Sequence, residues 1–166
     1  MDEKLEQLRN NYRMILTIEQ NNKLINIKKL SPYSQSINSY VFSVDELEIY
    51  QKLNLTEGYI TRPCLLAEID TAYVTETGKT NLERMLGGHP PIDPLSNKEY
   101  VLHHIGQKFE SPYAELPKDI HAKKYYRVLH KIFSESWRSD KELIYQFNKD
   151  SAEHWIKRGK MYNVDK

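Results

Sequence analysis

Two adjacent histidines, His103 and His104, close the apolar run Tyr100-Val101-Leu102 and are followed by Ile105-Gly106-Gln107. Side chains alternate across an extended backbone, so the pair presents one imidazole to each face of a strand. One ring can bind a metal while its neighbour handles a proton. His121 and His130 lie downstream, so four of the six histidines fall between positions 103 and 130, with Glu115 and Asp119 among them. That is the composition of a metal site with a spare base beside it.

The run Leu102-His103-His104 with Ile105-Gly106-Gln107, the block Ser111-Pro112-Tyr113-Ala114-Glu115-Leu116 and the later Leu129-His130 carry a family resemblance. Upstream, Gly78-Lys79-Thr80-Asn81-Leu82-Glu83-Arg84-Met85 and Pro90-Pro91-Ile92 fit the same pattern in the same order. From about Val41 to about Gly159 the chain resembles the LHH family of the HNH/endonuclease VII nuclease superfamily, whose domains form toxic C-terminal tips of bacterial polymorphic toxins. The resemblance implies an α+β fold, a mostly helical domain built around a ββα-metal (HNH-like) finger at about residues 98–133. It further implies a metal-dependent endonuclease toxin, with DNA ahead of RNA as target and one divalent ion, Mg²⁺, Mn²⁺ or Zn²⁺, as cofactor. In such a reaction a water loses a proton near neutral pH and the departing 3′-oxygen has its charge stabilised; a neutral imidazole does the first and a divalent cation the second. By the resemblance His104 is the base and His103 a metal ligand, with His121 and His130 completing the protein ligands. The two neighbours can exchange these roles. The central Asn that gives HNH enzymes their name has no clear counterpart here, which leaves the ligands beyond His104 less firmly assigned.

Around this set stand helpers. Glu115 can hold a ligating ring from behind or cap the helix that follows, and Gln107 and Lys108 can contact the scissile strand. Arg84 suits a phosphate contact or a structural ion pair equally well. Lys123-Lys124-Tyr125-Tyr126-Arg127 interleaves basic and aromatic residues, so Lys124 and Arg127 are candidate nucleic-acid contacts, against the plainer reading of a helix with Tyr inward and Lys outward. His89, between Gly-Gly and Pro-Pro, reads as a loop residue, and His154, beside Trp155, as structural.

The elements that must position these groups follow from spacing. Leu5, Leu8, Tyr12, Ile15 and Leu16 predict an amphipathic helix over 3–20, stopped by Asn21-Asn22, with Leu24-Ile25-Asn26-Ile27 as a short strand. The stretch Ser31 to Ser39 reads as a linker, so residues 1–39 form an N-terminal helical appendage and 40–166 the nuclease-like body. Ser43-Val44-Asp45-Glu46 and Thr80-Asn81-Leu82-Glu83 are capping boxes, the first opening a helix that Thr56-Glu57-Gly58 ends, the second a helix over 81–86 stopped by Gly87-Gly88. Tyr59-Ile60 and Cys64-Leu65-Leu66 are short strands. Pro94-Leu95-Ser96-Asn97 turns a hairpin whose functional strand is Tyr100 to Ile105, Gly106 permits a sharp turn, and Pro117 opens a helical part. The interval from His121 to His130 is too long for an i, i+4 pair, so that segment bends. Ser139-Asp140-Lys141-Glu142 is a third capping box, and Asp150-Ser151-Ala152-Glu153 starts a final helix that ends at Gly159.

Composition bounds the rest. The 166 residues, 39% hydrophobic and 28% charged, describe one ordinary globular domain. No apolar run reaches membrane-spanning length, and Met1-Asp2-Glu3-Lys4 is too acidic for a secretory signal, so the chain is expected to be cytoplasmic in its producer, and the toxin resemblance implies a specialised system for any delivery into target cells. The one cysteine, Cys64, excludes an internal disulfide and a Cys-based zinc cluster. Residues 1–100 hold 11 Lys/Arg against 14 Asp/Glu, whereas 101–166 hold 13 against 9, so the histidine half is the positive one. That polarity suits phosphate, and a solvated helix face produces such an excess as often; the toxin resemblance implies a cognate immunity protein, which a positive face would require to be acidic. The competing reading is a non-catalytic module in which the histidines hold a structural metal and the domain binds nucleic acid or a protein.

Overall fold

A computed structural model describes residues 18–121 and 140–163. Over these residues the chain is mixed α+β: five helices and a five-stranded sheet. Residues 3–17 of the helix expected over 3–20, His130 and the basic-aromatic run 123–127 lie outside the described residues. The helices are α1 (Ile18–Leu30), α2 (Gln35–Asn38), α3 (Val44–Lys52), α4 (Asn81–Leu86) and α5 (Lys141–Asn163). The strands are β1 (Thr56–Tyr59), β2 (Pro63–Leu66), β3 (Ile92–Asp93), β4 (Lys98–His104) and β5 (Tyr113–Pro117), in the order β1-β2-β5-β4-β3. Only the β2–β5 pair is parallel. Position in the sheet explains composition: β5 lies between β2 and β4, and its Tyr113, Ala114, Glu115 and Leu116 are all buried.

Local signals fixed several elements. Thr80 caps α4 with both halves of the capping box, its side chain taking the Glu83 N–H while the Glu83 carboxylate takes the Thr80 N–H. At α3 only half of the box forms. Ser43 accepts from the Glu46 N–H at 3.1 Å, but the Glu46 carboxylate turns to the Phe42 N–H and to the Tyr50 hydroxyl at 2.7 Å. That helix stops at Lys52, and Thr56-Glu57-Gly58, expected as its end, belongs to β1.

Three expectations are corrected. Leu24 to Ile27 is not a strand but the middle of α1, which runs through Asn21-Asn22 because nothing there forces the backbone out of the helical region. Ser31 to Ser39 is not an extended linker: Ser34 caps the short α2, and Tyr33, Ile37 and Asn38 are buried, with the Asn38 amide donating to the Tyr33 carbonyl at 2.8 Å. The two late helices are one. The inward stripe Leu143/Ile144, Phe147, Asp150/Ser151, His154/Trp155, Arg158/Gly159 keeps helical spacing without a break, so Asp150-Ser151 passes through the helix interior rather than starting a new one. Its cap is Asp140, whose carboxylate takes the Glu142 and Leu143 N–H groups. Gly159, expected at the end, lies inside α5 because α4 crosses there: a Cβ at Gly159 would stand 3.1 Å from Leu86 Cδ2 and 3.2 Å from Leu86 N.

Among the described residues one core joins the sheet to the helices. Ile37, Leu47, Tyr50, Leu65, Met85, Ile105, Leu116 and Trp155 are fully covered, so residues from α2 through α5 share it. Truncating such a side chain as Trp155 to Ala would cost about 3–5 kcal/mol. Among the described residues no helix is long and apolar enough to cross a membrane.

Candidate active site

The end of β4 divides the two histidines. Antiparallel pairing sets His103 opposite Ala114 and His104 opposite Tyr113 on β5, and alternation sends the rings to opposite faces. Both are buried, at 1% and 3% exposure.

On one face His103 meets His121. The chain turns helical immediately after β5, at Lys118, and this brings His121 back over β4: its Nε2 lies 3.1 Å from His103 Nδ1, with the ring centroids 5.0 Å apart. Nitrogens of two imidazoles that share one cation through bonds of about 2.0–2.1 Å stand roughly 3.0–3.4 Å apart, depending on the coordination angle. The contact has the geometry of a ring-to-ring hydrogen bond whose donor is set by the tautomers, and its length also falls within the interval for two imidazoles on one cation. Among the described residues no third His, Cys, Asp or Glu joins them.

On the other face His104 is ringed by aromatics. Tyr113 meets it edge-on at 5.0 Å, Phe147 of α5 lies at 5.1 Å, and Phe109 stacks at 6.2 Å with 24° between the planes. The β4–β5 loop that carries Phe109 needs Gly106: its φ is +84°, and a Cβ there would approach the Tyr40 carbonyl oxygen to 3.0 Å. Gln107 also takes a left-handed φ of 61° and donates its N–H to the His104 carbonyl at 3.0 Å, so its backbone, whatever its amide does, helps set the strand end. Lys108 is exposed in this loop.

Glu115 orients a histidine, though not one of the 103/121 pair. It shares the His104 face, and its fully buried carboxylate accepts from His154 Nε2 at 2.6 Å, from Arg158 Nε and Nη2 at 2.7 and 2.9 Å, and from the Ala67 N–H at 2.9 Å. Burial opposes its ionisation, but the hydrogen bonds and charges of His154 and Arg158 outweigh burial and hold the carboxyl below the usual carboxylate range. Arg158 is bound in turn, its second nitrogen donating to the Ala67 carbonyl at 2.8 Å. This cluster ties α5 to β5 and β2, and it makes His154 the structural residue its position beside Trp155 suggested.

Arg84 takes up the ion-pair role: its Nε donates to the Pro90 carbonyl at 2.9 Å and its Nη2 meets Glu99 at 3.2 Å. His89 is an exposed loop residue. Lys124, Arg127 and His130 fall outside the described residues. Tyr113, inside the Ser111 to Leu116 block, and Phe109 carried no signal as neighbours of the His104 ring; Phe147 and, behind the two of them, Arg62 carried none because only the folded chain brings residues so far apart together.

Residues 80–161 match the model of a family designated LHH and described as a nuclease of the HNH/ENDO VII superfamily with conserved LHH. The matched span opens at the α4 cap Thr80, contains β4 with its Leu102-His103-His104, and closes inside α5. No solved structure matches the chain.

Proposed function

Because the chain belongs, through residues 80–161, to the LHH family of nucleases in the HNH/ENDO VII superfamily, we propose that it hydrolyses phosphodiester bonds at the C-terminal end of β4. In this reading His103, His121 and His130 hold one divalent cation, Mg²⁺, Mn²⁺ or Zn²⁺, and His104 is the base that takes a proton from water. The observation that carries it is the approach of His121 Nε2 to within 3.1 Å of His103 Nδ1, across 18 positions of sequence. A divalent ion bound there would stabilise negative charge on the departing oxygen. His104, on the far side of the same strand end, keeps its orientation through the surrounding rings. β4, β5 and the helical turn at Lys118–His121 then serve as the ββα-metal finger. DNA is the favoured target, since a finger presented to a groove reads backbone shape with few base contacts.

The same reading extends to a toxin tip with an acidic immunity protein as partner, supported by the family resemblance and by the positive balance of residues 101–166. Co-purification from the native host, repeated at raised salt, tests that partner. One observation favours a second reading: at 3% exposure, boxed by three rings, His104 resembles a structural residue, as in a non-catalytic metal-containing binding module. Incubating the protein with supercoiled plasmid and with total RNA, with and without EDTA, separates the readings. Plasmid cleavage abolished by EDTA and restored by a divalent ion supports the proposal; binding of nucleic acid with no cleavage under any metal supports the module.

A further inference from the structure

Arg62 stands in the turn between β1 and β2, remote in sequence from every histidine considered above. Its Nη1 donates to two carbonyls of the β4–β5 loop, Phe109 O at 2.7 Å and Ser111 O at 3.0 Å. Its guanidinium carbon lies 4.2 Å from the centre of the Tyr113 ring, and its Nη2 meets Asp150 of α5 at 3.5 Å. Asp150 sits three positions after Phe147 on the same helix face. One side chain therefore touches the backbone of Phe109, the face of Tyr113 and the helix of Phe147, the three aromatic residues that surround His104. A guanidinium suits this task because its planar fork binds two acceptors while stacking on a ring, which an ammonium cannot do.

We propose that Arg62 is a positioning residue for His104: it pins the β4–β5 loop against α5 so that Phe109 and Tyr113 fix the imidazole in one orientation. The loop's own bonds are local, Ile105 N–H to Pro112 O at 2.9 Å and Ser111 N–H to Lys108 O at 3.1 Å, and they close the loop without joining it to α5. Arg62 supplies that link. The consequence for turnover rests on His104 acting as proposed above; the consequence for the ring's orientation does not.

Two variants test it. Arg62→Lys keeps the positive charge beside Asp150 and loses the fork, and Phe109→Leu removes the stacked ring while leaving Arg62 in place. Each is compared with wild type by the NMR position of the His104 ring protons, which neighbouring rings shift, by steady-state cleavage of duplex DNA, and by circular dichroism to confirm the fold. The expected result is that the His104 resonances leave their wild-type positions in both variants, with kcat reduced about tenfold to 100-fold as for a misplaced catalytic group and KM unchanged. The double variant should lose little more than either single one. Unmoved His104 resonances in Arg62→Lys overturn the proposal, and so does a rise in KM at constant kcat, which would make Arg62 a substrate contact. If Arg62→Lys does not fold, Phe109→Leu decides: unmoved resonances and an unchanged kcat there overturn the proposal. Wild-type cleavage by His104→Ala, by contrast, refutes the role given to His104 and leaves the clamp to be judged by the resonances alone.

Discussion

Replacing Glu115 by Ala removes the acceptor around which α5 is docked. Arg158, 2% exposed, would lose both contacts to the carboxylate, at 2.7 and 2.9 Å, and keep neutral partners alone among those described: the Ala67 carbonyl at 2.8 Å, the Tyr162 hydroxyl at 3.2 Å and Met161 Sδ at 4.0 Å. A buried cation stripped of its counter-charge costs about 3–5 kcal/mol. For a chain of this size each kcal/mol moves Tm by about 2–4 °C, so Glu115→Ala should melt roughly 6–20 °C below wild type. The control is Glu115→Leu combined with Arg158→Met, which removes both charges at similar volume. Such replacements are often close to neutral, so the double variant should recover most of the loss, leaving a coupling of about 2 kcal/mol or more in the cycle of single and double variants. Urea denaturation followed by circular dichroism measures wild type, Glu115→Ala, Glu115→Leu, Arg158→Met and the double variant. Additive effects, or a loss below about 1 kcal/mol for Glu115→Ala, would refute a buried, mutually dependent pair.

Three further outcomes follow from the same structure. Because Glu115 is held below its ordinary range, its contribution is complete above the unfolded carboxylate value of about 4.3 and disappears as pH falls through the lower folded value; acid melts should show this loss in wild type and not in the charge-free double variant. Asn81, fully buried, donates to the Asp70 and Ile92 carbonyls at 2.9 and 2.8 Å and accepts from the Ile92 N–H at 2.8 Å, so Asn81→Ala should cost about 2–4 kcal/mol by denaturant titration. Gly159→Ala should fail to give the gain of about 1 kcal/mol usual inside a helix, because the new Cβ meets Leu86 at 3.1 Å, and thermal melts should place it at or below wild type.

What the sequence disclosed was mostly local. The Thr80 to Glu83 box and the Gly87-Gly88 stop act within one turn of chain, and they place α4 at its observed bounds. The hairpin turn at Pro94 to Asn97 and the strand ending in His103-His104 were legible for the same reason. Asp150-Ser151 misled because polar residues that suit a cap also sit comfortably on a half-buried helix face when packing on either side continues the helix. Ser31 to Ser39 misled in the opposite way: its composition is that of a loop, yet Tyr33 and Ile37 are buried in the core. At the site, the convergence of His103 with His121 was implied by the family pattern. The Glu115–His154–Arg158 trio and the Arg62 contacts had no local signal, since the partners that join their elements lie 39 to 88 positions apart along the chain.

The central claim is that His103 and His104, on opposite faces of one strand end, divide metal binding from proton transfer. Plasmid nicking by wild type, His103→Ala and His104→Ala, each with its bound metal quantified and its fold verified by circular dichroism, tests this directly. The account predicts that His104→Ala stays folded and metal-loaded while its rate falls about 10²–10⁴-fold, and that His103→Ala loses metal and activity together. Wild-type nicking by both variants would contradict it.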